Sequence, residues 1–173
     1  MIIPFERSFW VIPNLFLAGG IPAAPQAGHS FTKLNSLKKT GIKVVLNLME
    51  PTELNNQGEP FFNYPAFLPE RGIQFIRKPI IDGGIPSTDL MVDILDTIDL
   101  HVNAQLPLYL HCYGGIGRTG LVVGCYLLRH GYATKANVID MIAYLKRTTS
   151  IQNRRSPESD IQRQFLFNWS YNQ

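Results

Sequence analysis

The run LPLYLHCYGGIGRTGLVVGCYLL, Leu106 to Leu128, decides how the rest of the chain is read. It opens with a short apolar strand, in which Pro107 is tolerated because it stands at the strand's first residue. A glycine-rich turn follows, and after it a helix that is apolar on nearly every face from Leu121 to Leu128. Gly114, Gly115 and Gly117 let the backbone curl and turn successive N–H groups inward. The first turn of the following helix adds its unpaired N–H groups and the positive end of its dipole, so the turn is built to hold a tetrahedral oxyanion. Arg118 supplies a planar fork of donors matched to two oxygens of one phosphate. Cysteines in positive concavities of this kind ionise with pKa values of roughly 3.5 to 7.5, so Cys112 is expected to act as a nucleophile at the floor of the cradle. The hydroxyl of Thr119 is placed to hydrogen-bond that sulfur.

Within this run HCYGGIGRTG, His111 to Gly120, resembles the His-Cys-x5-Arg-Thr-Gly phosphate loop of the cysteine-dependent protein phosphatases, in their small dual-specificity and atypical tyrosine phosphatase branch. The resemblance implies that Tyr113, Gly114, Gly115, Ile116, Gly117 and Arg118 bind phosphate and that His111 organises the loop. It also implies a dual-specificity phosphatase fold and a phosphocysteine intermediate. Phosphatases of this group that prefer inositol phosphates usually carry loop lysines, whereas here Tyr113 and Ile116 occupy those positions. A protein substrate bearing phosphotyrosine, and phosphoserine or phosphothreonine beside it, is therefore ranked first. The alternatives are a small phosphoester (inositol phosphate, phosphoinositide or nucleotide), a non-catalytic phosphate-binding module, and a rhodanese-like sulfurtransferase, which would need neither an acid loop nor the Thr119-Gly120 continuation.

Attack of a thiolate on a phosphomonoester requires a proton for the departing oxygen, so an acid must stand across the phosphorus. Asp82 fits that role. It follows a strand, precedes the hinge Gly83-Gly84 and lies thirty residues before Cys112, a spacing similar to that of the family's acid loop. Asp89 is second, near a helix start where dipole stabilisation explains it. Asp93, Asp96 and Asp99 read as a solvated helix face. Near the C-terminal end, Ser-Pro-Glu-Ser-Asp-Ile-Gln resembles the segment in which tyrosine phosphatases carry a water-positioning glutamine, which maps to Gln162 with Phe165 three residues on; Gln152 and Gln164 are weaker alternatives. Arg154 and Arg155 are placed either along the phosphate approach or on the surface.

Outward from the motif, strands and helices alternate. Residues 10–18 read as two short strands about Pro13-Asn14 and residues 42–49 as a strand covered on both faces. A helix is expected from near Ser30 to Gly41, with Phe31, Leu34 and Leu37 on one face. Residues 73–80 form a further strand, and Ser87 caps a helix over 88–104. Two more helices are expected, one capped by Thr134 and running to about Thr149, one started by Ser156-Pro157-Glu158. The sum is an α/β fold, a mostly parallel central sheet flanked by helices on both faces. Residues 50–72 carry no periodic pattern. Their aromatics Phe61, Phe62, Tyr64 and Phe67 are assigned to packing in preference to a substrate groove.

The 173 residues, 45% of them hydrophobic, suit one phosphatase domain over 1–173. A net charge of +3 agrees with an anionic substrate, while the lack of a Lys/Arg tract argues against nucleic acid. The two cysteines, Cys112 and Cys125, make no disulfide framework; Cys125 reads as an apolar filler, and no His/Cys grouping has metal-ligand spacing. No cofactor and no metal are expected. The first residues resemble neither a signal peptide nor a membrane span, which with the cysteine usage points to the cytoplasm.

Overall fold

The computed structural model describes residues 3–24 and 27–170. Its frame is a five-stranded sheet ordered β1-β2-β5-β3-β4. The strands are β1 (Ser8–Ile12), β2 (Phe16–Gly19), β3 (Val44–Asn47), β4 (Gln74–Arg77) and β5 (Leu108–His111). β1 and β2 form an antiparallel hairpin that turns at Pro13-Asn14, with Asn14 in the left-handed region at φ 60°. All other neighbours are parallel. β5 lies at the centre, so the residues that leave its C-terminal end are held by ladders on both sides.

Side chains alternate across the sheet and feed two cores. Leu17, Val45 and Tyr109 pack with Leu34 and Leu37 of α1 (Ala27–Lys39). Phe16, Ala18, Val44, Leu46, Leu108 and Leu110 pack on the opposite face, against α2 (Thr88–Asn103), α3 (Arg118–Arg129), α4 (Val138–Leu145) and α5 (Asp160–Asn168). The expected layering, helices on both faces of a mostly parallel sheet, is therefore present. α3 is buried on almost all sides. Gly124 permits this, because a Cβ there would stand 2.8 Å from Leu166 of α5 and 3.2 Å from Ile142 of α4. Cys125 is fully buried in this core, and burial pushes its thiol pKa well above the ordinary value.

Ser87 caps α2 as expected, accepting from the Leu90 N–H at 3.1 Å. Four boundaries, in three helices, differ from expectation. The first helix begins at Ala27, and Ser30 lies inside it with its hydroxyl turned back to the Ala24 carbonyl at 3.0 Å. α4 begins at Val138 with Asn137 rather than Thr134 at its N-cap position, and no side chain caps it: the Asn137 carboxamide oxygen accepts from the Thr134 N–H and hydroxyl instead. It stops at Leu145, short of Thr149, where the Lys146 ammonium draws the carbonyls of Ile151, Gln152 and Arg154 around itself. The last helix starts at Ser159, not Ser156. Ser159 and Gln162 form a reciprocal capping box, while the Ser156 hydroxyl donates to the Ile116 carbonyl at 2.7 Å.

β3 and β4 are also shorter than read, while the hairpin of β1 and β2 extends from Ser8 to Gly19, beyond the expected 10–18. The ladder of β4 ends at Arg77, yet the Lys78 N–H donates to the Asn47 carbonyl and the Ile80 N–H to the Leu48 carbonyl. These bonds carry the chain to Asp82 beside the end of β5. Residues 50–72 hold two short 3-10 turns, Tyr64–Phe67 and Pro69–Arg71. Phe62 and Phe67 pack on Phe31 of α1, and Tyr64 is buried, so packing accounts for these aromatics. Phe61 differs, with its ring 5.2 Å from that of Tyr113. Among the described residues no helix is long and apolar enough to cross a membrane.

Candidate active site

Beyond His111 the chain leaves the sheet and curls into the first turn of α3. The backbone N–H groups from Tyr113 to Thr119 donate to no described residue. Buried amides without partners are costly, and a ring of them is a site for an anion. Gly115 makes the curl possible. It has φ +76°, and a Cβ there would fall 2.5 Å from the Gly20 nitrogen.

Cys112 lies at the base of this ring, 2% exposed. Its N–H donates to the Thr119 hydroxyl at 3.0 Å, and that hydroxyl lies 3.1 Å from both the Cys112 Sγ and the Gly19 carbonyl. The hydroxyl has one hydrogen for two acceptors, and a negatively charged sulfur would claim it.

Arg118 is 1% exposed. Glu53 meets its guanidinium end-on, with Nη1 donating to Oε2 and Nη2 to Oε1, both at 2.7 Å. Nη1 also donates to the Ile80 carbonyl at 3.1 Å, and Nη2 lies 2.8 Å from Oδ1 of Asp82. Of the five N–H donors only Nε is left, buried and without a partner among the described residues. Burial alone would lower the guanidinium pKa; the hydrogen bonds to Glu53, and then the charges of Cys112, Glu53 and Asp82, raise it instead.

His111 is fully buried behind the loop. Its Nδ1 donates to the Cys112 carbonyl at 3.0 Å, which fixes the tautomer and leaves Nε2 to accept from the Tyr64 hydroxyl at 2.7 Å. Burial, opposed by the bond to the Cys112 carbonyl and aided by the charges of Arg118 and Arg77, lowers its pKa to about 3. Burial likewise raises the Tyr64 phenol well above its ordinary value, so it remains a donor.

These elements enclose a cavity of about 340 Å³. Cys112, Tyr113, Gly114, Ile116, Gly117 and Arg118 form its floor, and Asp82 stands in its wall with its side chain 69% exposed. Asp89 is not in this wall; it sits exposed in the first turn of α2. Gly115 is turned toward Gly19 and Gly20 instead of lining the cavity. Gln162 is fully buried behind Gly117, where a Cβ would lie 3.1 Å from its Oε1. Its Oε1 accepts from the N–H groups of Glu158 and Ser159, and its Nε2 donates to the Gly84 carbonyl at 3.0 Å. The Ser159 hydroxyl donates to the Gly83 carbonyl at 3.0 Å, so the loop carrying Asp82 is tied to the start of α5 at two points. Arg154 lines the cavity; Arg155 does not, and pairs with Asp160.

Glu53 and Arg7 were not singled out from the sequence. Glu53 belongs to a segment without periodicity, and its partner lies sixty-five residues away. Arg7 reaches the cavity because β1 is paired beside β2, a placement no local pattern encodes.

A buried thiol with a hydroxyl on its sulfur, under a ring of free amides and an arginine with one unspent donor, is the site of the cysteine-dependent phosphatases. The chain belongs to the dual-specificity branch of that superfamily: residues 23–132 match the family described as polymorphic toxin system, DSP-PTPase phosphatase. It is 30% identical over 155 residues to the bovine protein tyrosine phosphatase domain-containing protein 1, covering 85% of this chain and 19% of that one. It is 27% identical over 145 residues to mouse dual specificity protein phosphatase CDC14A, covering 77% of this chain and 21% of that one. The chain thus spans about a fifth of the length of these curated relatives. Its fold matches the crystal structure of kinase-associated phosphatase with its catalytic cysteine replaced by serine, at a TM-score of 0.72 and 21% identity, over 92% of this chain and 90% of that one.

Proposed function

We propose that this chain is a protein phosphatase that hydrolyses phosphotyrosine, and phosphoserine or phosphothreonine beside it, through a phosphocysteine intermediate. The observation that carries the reading is the unspent edge of Arg118. Glu53 and the Ile80 carbonyl hold the far side of the guanidinium, leaving Nε and the Nη2 donor now directed at Asp82. A phosphate bound to that edge takes two oxygens' worth of donors and displaces Asp82 from Nη2. The displaced carboxyl then lies next to the ester it is to protonate.

In the first step the Cys112 sulfur attacks phosphorus, the S–P bond forms and the P–O ester bond breaks. Asp82 gives its proton to the leaving oxygen, while the free amides and Arg118 take up charge on the three equatorial oxygens. In the second step water attacks the phosphocysteine, Asp82 takes back a proton, the S–P bond breaks and inorganic phosphate departs. The Thr119 hydroxyl stabilises the sulfur as a leaving group. Gln162 lies buried behind Gly117, outside the cavity lining and bonded to the acid loop, and is assigned to aim that water once its Nε2 leaves the Gly84 carbonyl. Replacing Cys112 by Ser tests the covalent step: turnover of a phosphotyrosine peptide should be abolished with binding retained, and surviving hydrolysis would sink the mechanism.

A further inference from the structure

Phe61 is the aromatic of the 50–72 segment that packing leaves over. Phe62 and Phe67 close on Phe31, and Tyr64 bonds to His111. Phe61 is half-buried, belongs to neither core of the described residues, and meets the Tyr113 ring at 5.2 Å. Tyr113 has an unassigned ring of its own. Its N–H is one of the free amides of the phosphate loop and its carbonyl accepts from the Ile21 N–H at 3.0 Å, so neither contact employs the phenol.

The two rings line a second cavity, of about 150 Å³, that adjoins the phosphate cavity. Tyr113 lines both cavities, and so does one short turn: Asn56 lines the phosphate cavity, while its neighbours Asn55 and Gln57 line the other. The remaining wall is apolar, built by Ile21, Ala23 and Phe62. The partition is held before anything binds. Leu54 and Pro60 form an antiparallel bridge, and the Asn55 N–H donates to the Glu59 carbonyl at 2.8 Å. The Asn55 carboxamide oxygen accepts from the N–H groups of Gln57 and Glu59, both at 2.9 Å, and Gly58 turns the chain at φ 78°. Phe62 is fixed between Phe31 and Phe67, with ring separations of 5.5 and 5.4 Å. Walls already in place lose little freedom when a side chain enters, and the water displaced from apolar surface favours its entry.

We propose that this side cavity is a specificity pocket which takes a large apolar side chain, of leucine or methionine size, from within two residues of the phosphoresidue, and that Phe61 sets the preference. The proposal rests on the phosphatase reading above and narrows its substrate to proteins with an apolar neighbour beside the phosphoester. Because the two cavities share a wall, the occupant belongs to the molecule whose phosphate lies over Cys112. Successive residues are about 3.8 Å apart, so a chain that enters one cavity passes the partition within a residue or two. Glu59 at the rim repels an acidic side chain, and a lysine would have to bring its charge against the apolar wall.

The test measures kcat/KM on phosphotyrosine peptides that carry Leu, Ala or Lys in turn at each of the two positions on either side of the phosphoresidue, with 4-nitrophenyl phosphate as a substrate that has no chain. At one position at least, Leu should exceed both Ala and Lys by roughly tenfold, the low end of what an apolar pocket discriminates. Phe61→Ala, which removes a wall, and Ala24→Leu, which fills the cavity from its lining, should each bring that ratio close to one while kcat/KM on 4-nitrophenyl phosphate stays within about twofold of wild type. Phe167→Ala, which removes an exposed ring of α5 outside both cavities, should leave the ratio as it is. Equal rates for Leu and Ala at every position, a preference for Lys over Leu, or a Leu preference that survives in both cavity variants would overturn the pocket. So would hydrolysis of 4-nitrophenyl phosphate but of no peptide. In each of these cases continued turnover of 4-nitrophenyl phosphate leaves the phosphoester chemistry standing, whereas failure to hydrolyse any of the substrates would overturn both readings.

Discussion

Glu53 holds Arg118 by both carboxylate oxygens at 2.7 Å, at the end of the guanidinium opposite the donor left free in the cavity. The contact does more than neutralise a buried charge. It fixes the plane of the fork, and so determines which edge a phosphate meets. Glu53→Gln keeps the shape but removes the charge and one acceptor. It should cost about 1–3 kcal/mol of stability in urea unfolding, the range for a compromised buried hydrogen bond to a charged group. Inhibition by inorganic phosphate should weaken in parallel. A variant with unchanged stability and phosphate affinity would show that Arg118 is held by other groups.

Asp82 is the acid assigned to leaving-group protonation, and it reaches the cavity from a loop pinned at Gly83 and Gly84. Asp82→Asn should lower kcat by roughly 10² to 10⁴ on a phosphotyrosine peptide. The loss should be smaller on an aryl phosphate whose leaving group needs no proton. Asp89→Asn should leave kcat within a factor of about two, because Asp89 lies outside the cavity wall. The opposite pattern would transfer the role to Asp89.

His111 links the site to stability against pH. Its folded pKa is about 3, below the ordinary value near 6.5, so between these limits the unfolded chain binds a proton that the folded chain refuses. The contribution is full above pH ~6.5 and is lost as pH falls toward 3, at about 1.4 kcal/mol per pH unit. Denaturation midpoints should therefore drop with acidification through this window, and His111→Gln should flatten the dependence. An equal slope in the variant would assign the acid sensitivity to other groups.

Gln162 spends its carboxamide on Glu158, Ser159 and Gly84. Gln162→Ala should cost about 1 kcal/mol of stability through the lost cap. Rapid-quench kinetics separate its two assigned effects: a missing water guide prolongs the phosphocysteine, while a loosened acid loop slows its formation. An unchanged lifetime of the intermediate would leave Gln162 as a structural tether alone.

The parts of the site that sequence made legible are those built by neighbours in the chain. The curl from His111 to Gly120 needs its glycines, its cysteine and its arginine at fixed short spacing, and the apolar run to Leu128 announces a buried helix by composition. Asp82 was reachable because an acid, a glycine hinge and a strand end stand together. Glu53, Tyr64 and Lys146 were not, since each is defined by what it touches across the fold: a guanidinium, an imidazole and a ring of carbonyls. The misplaced last cap has the same origin. Ser156 and Ser159 are both good caps locally, and the choice falls to Ser159 because the Ile116 carbonyl takes the other hydroxyl.

The covalent intermediate can be observed directly. The wild-type chain and Gln162→Ala, mixed with a phosphotyrosine peptide and acid-quenched within one turnover, should each yield a phosphoryl group on the peptide containing Cys112, read by mass spectrometry. Cys112→Ser should yield none. Hydrolysis proceeding with no phosphoryl group on Cys112 at any quench time would contradict nucleophilic attack by this cysteine.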